Sequence, residues 1–153
     1  MTPRTRPRVK GTSLLFDVFV VAHAIGEMLA EGMAKSPLTP EEYALYSHLL
    51  EAGSCMPSEL AQDLHVPATT VSDWVRVMTA RQHARRLPSP ADRRSYCIAL
   101  TAAGRRAHAG ANRRFEEVNE RFLAGLGRPE GELRGLLAEI LAATRDQKES
   151  DGT

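Results

Sequence analysis

Apolar positions recur along this chain at two spacings, and the switch between them divides it. From Ser13 to Ala34, Leu14, Val18, Val21, Ile25 and Met28 share one helical face, with Leu15, Phe19, Ala22 and Leu29 as a second stripe beside it. So wide an apolar surface needs cover on several sides, which one small domain rarely supplies and a subunit interface would. Leu38-Thr39-Pro40-Glu41-Glu42-Tyr43 then reads as a helix start. Thr39 is the N-cap, Pro40 holds the first helical position, Glu42 closes a capping box, and Leu38 can staple against Tyr43. This helix runs to about Ala52. Gly53 to Met56 turns the chain, and Pro57 opens a short helix from Ser58 to His65 with Leu60, Ala61 and Leu64 inward. After Val66 and Pro67 a third helix runs from about Ala68 to Gln82. Pro88 and Pro90 forbid its continuation. The run Tyr96, Cys97, Ile98, Ala99, Leu100 has strand character, so Arg85 to Leu100 reads as a hairpin with arginines at its tip. Thr101 can cap a long helix reaching about Leu126, with Ala111, Phe115, Val118 and Phe122 on one face. Beyond Gly127 and Pro129 a last helix carries Leu133, Leu136, Leu137, Ile140, Leu141 and Thr144, and the polar tail from Asp146 should fray.

Three short helices followed by a two-stranded hairpin is the winged helix-turn-helix order. At 100° per residue the third helix gathers Val71, Trp74, Val75 and Met78 on one side and Thr69, Ser72, Asp73, Arg76 and Ala80 on the other. A small, polar outer face with one long donor lets a helix sink into a major groove, whereas a helix merely facing water more often carries Lys and Glu there. Thr69 and Ser72 can donate to phosphates or bases, and Arg76 can fork onto a guanine or grip a phosphate. Asp73 either accepts from a cytosine amine or pairs with Arg76 three residues on. Thr70 sits between the faces and can reach the backbone, and Ser58 lies near the start of the preceding helix, where amides meet phosphates.

Charge sharpens this picture. The 153 residues sum to only +1, but the sum hides segregation. Residues 1–10 carry Arg4, Arg6, Arg8 and Lys10 without an acid; residues 11–75 carry Lys35 against nine acids; residues 76–114 carry ten arginines against Asp92 alone. The remainder is acidic again. A basic block inside an acidic chain is the footprint of phosphate binding, since its arginines displace condensed counterions. The plainer reading is a solvated arginine-rich helix.

Residues 38–106 resemble the MarR family of winged-helix transcriptional regulators. The resemblance rests on Ser58-Glu59-Leu60-Ala61, Thr70-Val71-Ser72, Pro90-Ala91-Asp92-Arg93-Arg94-Ser95 and Leu100-Thr101-Ala102-Ala103-Gly104. The wing sequence followed by Leu-Thr-x-x-Gly is its most specific part, and the flanking helices fit the same layout. It departs from the family at Gln82-His83-Ala84, where a Gly followed by hydrophobics is usual, and at Pro67, where a Ser cap is common. It implies a homodimer held by the first and last two helices, with Arg94 in a minor groove beside Arg93 and Ser95, and Asp92 steadying the wing. An Arg at a hairpin tip is long enough to enter that negatively charged groove; the alternative for Asp92 is an ordinary turn residue. The fold class is therefore mainly α (α+β). Residues 1–12 form a disordered basic arm, 13–147 the winged helix-turn-helix domain and 148–153 a disordered tail. Residues 38–101 are its DNA-binding lobe, and 13–36 with 102–147 its dimerisation helices.

The expected function is a homodimeric regulator, a repressor of a pseudo-palindromic double-stranded DNA operator, because a twofold axis places two recognition helices about one turn, ~34 Å, apart. The alternative is a winged helix used only for protein contacts. The resemblance also implies release by a small aromatic or phenolic effector, for which His23, Tyr43, Tyr46 and His48 are candidate pocket residues, each equally at home in a core or on a surface. Cys55 and Cys97 form no C-x-x-C pattern and lack flanking bases that would lower a thiol pKa, so neither a redox switch nor a zinc site is favoured. Five scattered histidines argue no better for a metal, and no cofactor is expected. No glycine-rich nucleotide loop, nucleophile elbow or paired-His motif points to an enzyme. The N-terminus imitates a secretory leader, with a basic tail before Leu14 to Val21 and Ala22-His23-Ala24 beyond. Asp17 interrupts it, and the stripe continues to Leu29. No apolar run approaches the ~18 residues of a membrane span, and a cytoplasmic location without membrane contact is expected.

Overall fold

The capping chemistry that the sequence advertises sets the helices. The computed structural model describes residues 13–90 and 94–150, so the basic arm of residues 1–12, together with Asp92 and Arg93, lies outside the described residues. The order is α1 (Leu14–Gly32), α2 (Pro40–Ala52), α3 (Pro57–Asp63), α4 (Ala68–Ala80), β1 (Ala84–Pro88), β2 (Tyr96–Leu100), α5 (Ala102–Ala124) and α6 (Glu130–Ser150). At α2 the capping box closes as expected: the Glu42 amide donates to Thr39 Oγ1 at 3.2 Å and the Thr39 amide to Glu42 Oε2 at 3.0 Å. Ser13 caps α1 through the Phe16 amide.

The described chain divides into two compact units, one through Val118 and one from Asn119. The boundary falls inside α5 and not at its start, because the first half of α5 is part of the lobe's core. His108 stacks on Tyr43 with ring centroids 5.0 Å apart, Phe115 stacks on the same ring at 4.5 Å, and Ala111 is fully buried. Around this pair the first unit buries Leu38, Leu45, Tyr46 and Leu49 of α2 with Leu60, Val71, Val75, Met78, Ile98 and Leu100.

β1 and β2 form an antiparallel pair registered from Ala84↔Leu100 to Pro88↔Tyr96. Cys55, in the turn before α3, adds a single bridge on the other edge of β2: its amide donates to the Ile98 carbonyl at 3.2 Å, and its carbonyl accepts the Ile98 amide at 2.8 Å. The helix-turn-helix is thereby tied to the root of the wing.

α1 has no buried residue, and Leu14, Leu15, Phe16, Phe19, Val20 and Val21 are exposed. In the second unit α6 carries its stripe with Leu136, Leu137 and Leu141 exposed and Leu133 and Ile140 half-buried. Its first turns are laced by the i,i+4 pairs Arg128–Glu132 and Glu130–Arg134. α6 runs on through Ser150, past the Asp146 and residue 148 boundaries where the sequence was expected to fray. Residues 145–150 include Arg, Gln, Lys and Glu, good helix formers that outweigh polarity as a reason to stop.

Candidate nucleic-acid interface

α4 presents the two faces that its periodicity requires. Val71, Val75 and Met78 are buried and Trp74 is half-buried, while Thr69, Ser72, Asp73, Arg76 and Ala80 are all exposed. Thr70 lies between them, half-buried. No side chain caps the N-terminus, where Pro67 stands. Ser72 instead donates its hydroxyl back to the Ala68 carbonyl at 3.0 Å, which leaves its lone pairs outward. Arg76 Nη2 donates to Asp73 Oδ1 at 3.0 Å, so of the two roles open to Asp73 the chain by itself adopts the intrahelical pair. Both side chains are about 70% exposed, so the pair contributes at most a few tenths of a kcal/mol. Its effect is to hold the guanidinium on the outer face. Ser58 is exposed on α3, next to Glu59, whose carboxylate accepts the Met56 amide at 2.7 Å.

The wing carries more cationic surface than the sequence reading assigned. Arg85 and Arg86 are exposed on β1. The Arg86 guanidinium lies over the Tyr96 ring, 4.4 Å from its centroid. The register pairs Arg86 with Ile98 and Pro88 with Tyr96, which makes Arg86 and Tyr96 diagonal neighbours. Only that register, with an aromatic two positions from an Arg's cross-strand partner, signals the pair in the sequence. Arg94 is exposed at the end of the turn, and Ser95, half-buried, accepts the Ser89 amide through its carbonyl. Asp92 and Arg93, the other wing residues singled out, lie outside the described residues.

The four candidate effector residues have separate environments. Tyr46 is fully buried and meets His83 Nδ1 through its hydroxyl at 3.0 Å. Tyr43 is buried between His108 and Phe115 and donates to Asn112 Oδ1 at 2.6 Å. His48 pairs with Asp63 at 3.2 Å on the rim of a cleft of about 600 Å³. His23 stands exposed on α1, 3.6 Å from Glu27. The two tyrosines serve as packing residues because α2 is the central helix of the lobe, and their hydroxyls are already occupied. Both are held protonated, their pKa values raised chiefly by burial.

Cys55 and Cys97 are buried, and burial, reinforced by Glu59 and Asp63, pushes the Cys55 thiol up to about 11. Thiolate chemistry is suppressed there at neutral pH. Burial also pushes the His108 imidazole below its ordinary range, and its Nε2 lies 2.9 Å from Ser47 Oγ. Because Ser47 donates to the Tyr43 carbonyl, His108 is the donor in that contact and keeps Nε2 protonated. Among the described residues no cluster of His, Cys, Asp or Glu fits a metal ion, and no helix is long and apolar enough to cross a membrane.

Residues 38–96 match the model of the MarR family. The chain is 29% identical over 104 residues to the HTH-type transcriptional regulator TtmR of Methylorubrum extorquens, a stretch covering 68% of this chain and 53% of that protein. It thus spans about half the length of this curated relative. A crystal structure of a "probable transcriptional regulator" of Pseudomonas aeruginosa superposes with a TM-score of 0.73 at 28% identity, over 84% of this chain and 97% of that one. The transcriptional regulator MOSR of M. tuberculosis, solved in complex with DNA, shares the fold with a TM-score of 0.75 at 24% identity, over 88% and 97%. The helix order and the two-faced α4 agree with these matches, so residues 38–96 are similar to the MarR family and the chain to transcriptional regulators of that fold.

Proposed function

We propose that the chain is a sequence-specific, double-stranded DNA-binding transcriptional regulator, acting as a homodimeric repressor on a pseudo-palindromic operator and released by a small ligand. The observation that carries this reading is the outer face of α4, where Thr69, Ser72 and Arg76 stand exposed beside a wing that exposes Arg85, Arg86 and Arg94. Small polar residues let the helix approach base edges, Arg76 supplies the fork for a guanine, and the wing arginines meet the adjacent backbone or minor groove. Asp92 and Arg93 keep the wing-tip roles that their sequence suggests. Dimerisation is supported by α1, on which Leu15 and Phe19 are about 70% exposed or more among the described residues. A twofold copy of the lobe makes the operator a pseudo-palindrome. Release by a ligand draws support from clefts of about 600 and 550 Å³ in the first unit, the size that small molecules occupy. A cytoplasmic location belongs to the same proposal.

The test is selection of a duplex from a random pool, followed by titration across salt. Specific binding should weaken steeply with ionic strength. Arg76→Ala should cost about 1–3 kcal/mol and relax preference at one base position, whereas Arg94→Ala should weaken binding to all sequences alike. Absence of any enriched duplex would overturn the reading and leave a winged helix that contacts proteins.

A further inference from the structure

The junction between α4 and the wing, where the MarR family usually has a glycine and this chain has Gln82-His83-Ala84, is fastened at several points. α4 ends in a Schellman motif: the Gln82 amide donates to the Thr79 carbonyl at 3.0 Å, and the His83 amide to the Met78 carbonyl at 2.8 Å. Gln82 occupies the left-handed position, with φ 58°, that glycine normally takes. Further contacts then grip this turn from Arg81 to His83. Arg81 Nη1 donates to Glu42 Oε1 of α2 at 2.7 Å. Thr101 Oγ1 donates to the Gln82 carbonyl at 2.7 Å and accepts the Gly104 amide at 3.1 Å. The Thr101 amide donates to the His83 carbonyl at 2.9 Å. The His83 ring meets the fully buried Tyr46 edge-on, its Nδ1 3.0 Å from the hydroxyl. The carbonyl of His83 also approaches α5 so closely that a Cβ on Gly104 would lie 2.1 Å from it.

A bare Schellman turn fixes the end of a helix, not the direction of the strand that follows. Here the residue after the left-handed one is held on its ring by α2 and on its backbone by the root of α5. His83 immediately precedes β1, whose first pairing is Ala84↔Leu100, so the direction in which Arg85 and Arg86 leave α4 is set at His83. We infer that His83, held by Tyr46 and Thr101, is a positioning residue that locks the wing to the recognition helix, so that the two contact duplex DNA as one rigid element. The inference rests on the DNA-binding reading. Its physical content is entropic: two contact surfaces joined rigidly bind with an effective concentration that a loose joint forfeits.

The experiment compares the full-length chain with Tyr46→Phe, His83→Ala and His83→Asn on the selected duplex. Asn offers an acceptor oxygen close to the position of Nδ1, so it is the rescuing variant. His83→Ala and Tyr46→Phe should each weaken binding about three- to tenfold, the range for one hydrogen bond. The salt slope should become shallower by about 0.9 for every wing contact to phosphate that is lost. Hydroxyl-radical protection at the wing positions should fade, preference for the half-site bases should persist, and His83→Asn should restore both the slope and the protection. A role confined to stability would lower the folded fraction and reduce all contacts together at an unchanged slope. Unaltered slope and wing protection in His83→Ala would overturn the inference. Amide exchange on the DNA-free proteins separates its failure from that of the function: Leu87 and Cys97, a hydrogen-bonded pair of the wing ladder, should exchange faster in His83→Ala while the α4 core amides hold. If the wild type binds no duplex, the regulator reading fails; if those wing amides also exchange at the wild-type rate, the lock itself is refuted.

Discussion

α1 and α4 are both amphipathic helices, and the fold treats them in opposite ways. α4 buries Val71, Val75 and Met78 and turns small polar residues outward. α1 buries nothing and turns leucine and phenylalanine outward. The contrast teaches that an apolar stripe records a demand for a partner without saying whether the partner lies in the same chain. For α4 the demand is met by α2, α3 and the wing; for α1 no described residue meets it in full. In sequence the two are distinguished by width, because α1 carries two adjacent stripes and α4 only one.

The sharpest way to break this contrast is a pair of truncations. Leu60→Ala removes a fully buried side chain that joins α3 to the lobe's core, and should cost about 2–5 kcal/mol in urea unfolding. Phe19→Asp on α1 should leave unfolding of the monomeric lobe within about 0.5 kcal/mol yet abolish self-association in sedimentation velocity. If Phe19→Asp instead unfolded the lobe, α1 would belong to its core after all.

Smaller effects sharpen the picture within the lobe. Gln82→Gly should relieve the left-handed backbone at the end of α4 and stabilise the protein by up to about 1 kcal/mol in thermal melting, the relief being partly offset by glycine's unfolded-state entropy. A loss of stability would mean that the Gln82 side chain contributes more than its backbone costs. The smallest effect concerns His108. Burial depresses its pKa in the folded state, so below the ordinary value of 6.5 the unfolded chain takes up a proton that the folded one resists. Stability is therefore fully present above that value and declines as pH falls towards the folded pKa. Melting temperature measured from pH 7.5 to 5.0 should fall less in His108→Gln than in the wild type.

Local chemistry made much of this legible before any coordinates. The Thr39, Pro40 and Glu42 start of α2, the two faces of α4 and the proline-bounded hairpin each depend on residues within a few positions of one another, and each forms as read. The missed features join distant positions. Tyr46 and His83 are 37 residues apart, and the Cys55–Ile98 bridge closes a loop of similar length. Arg86 over Tyr96 needed a strand register that the hairpin tip, lying partly outside the described residues, does not spell out. The left-handed turn at Gln82 escaped notice because its usual signal is glycine. Tyr43 and Tyr46 suited a ligand cleft by residue type, but type says nothing about a ring already stacked or a hydroxyl already bonded.

The two sulfur atoms have a practical consequence. With both thiols enclosed and that of Cys55 raised to about 11, the native chain offers a quiet background for maleimide or nitroxide chemistry at neutral pH. An Ala80→Cys substitution on the outer face of α4 would then accept a spectroscopic reporter selectively, with neither native cysteine first replaced.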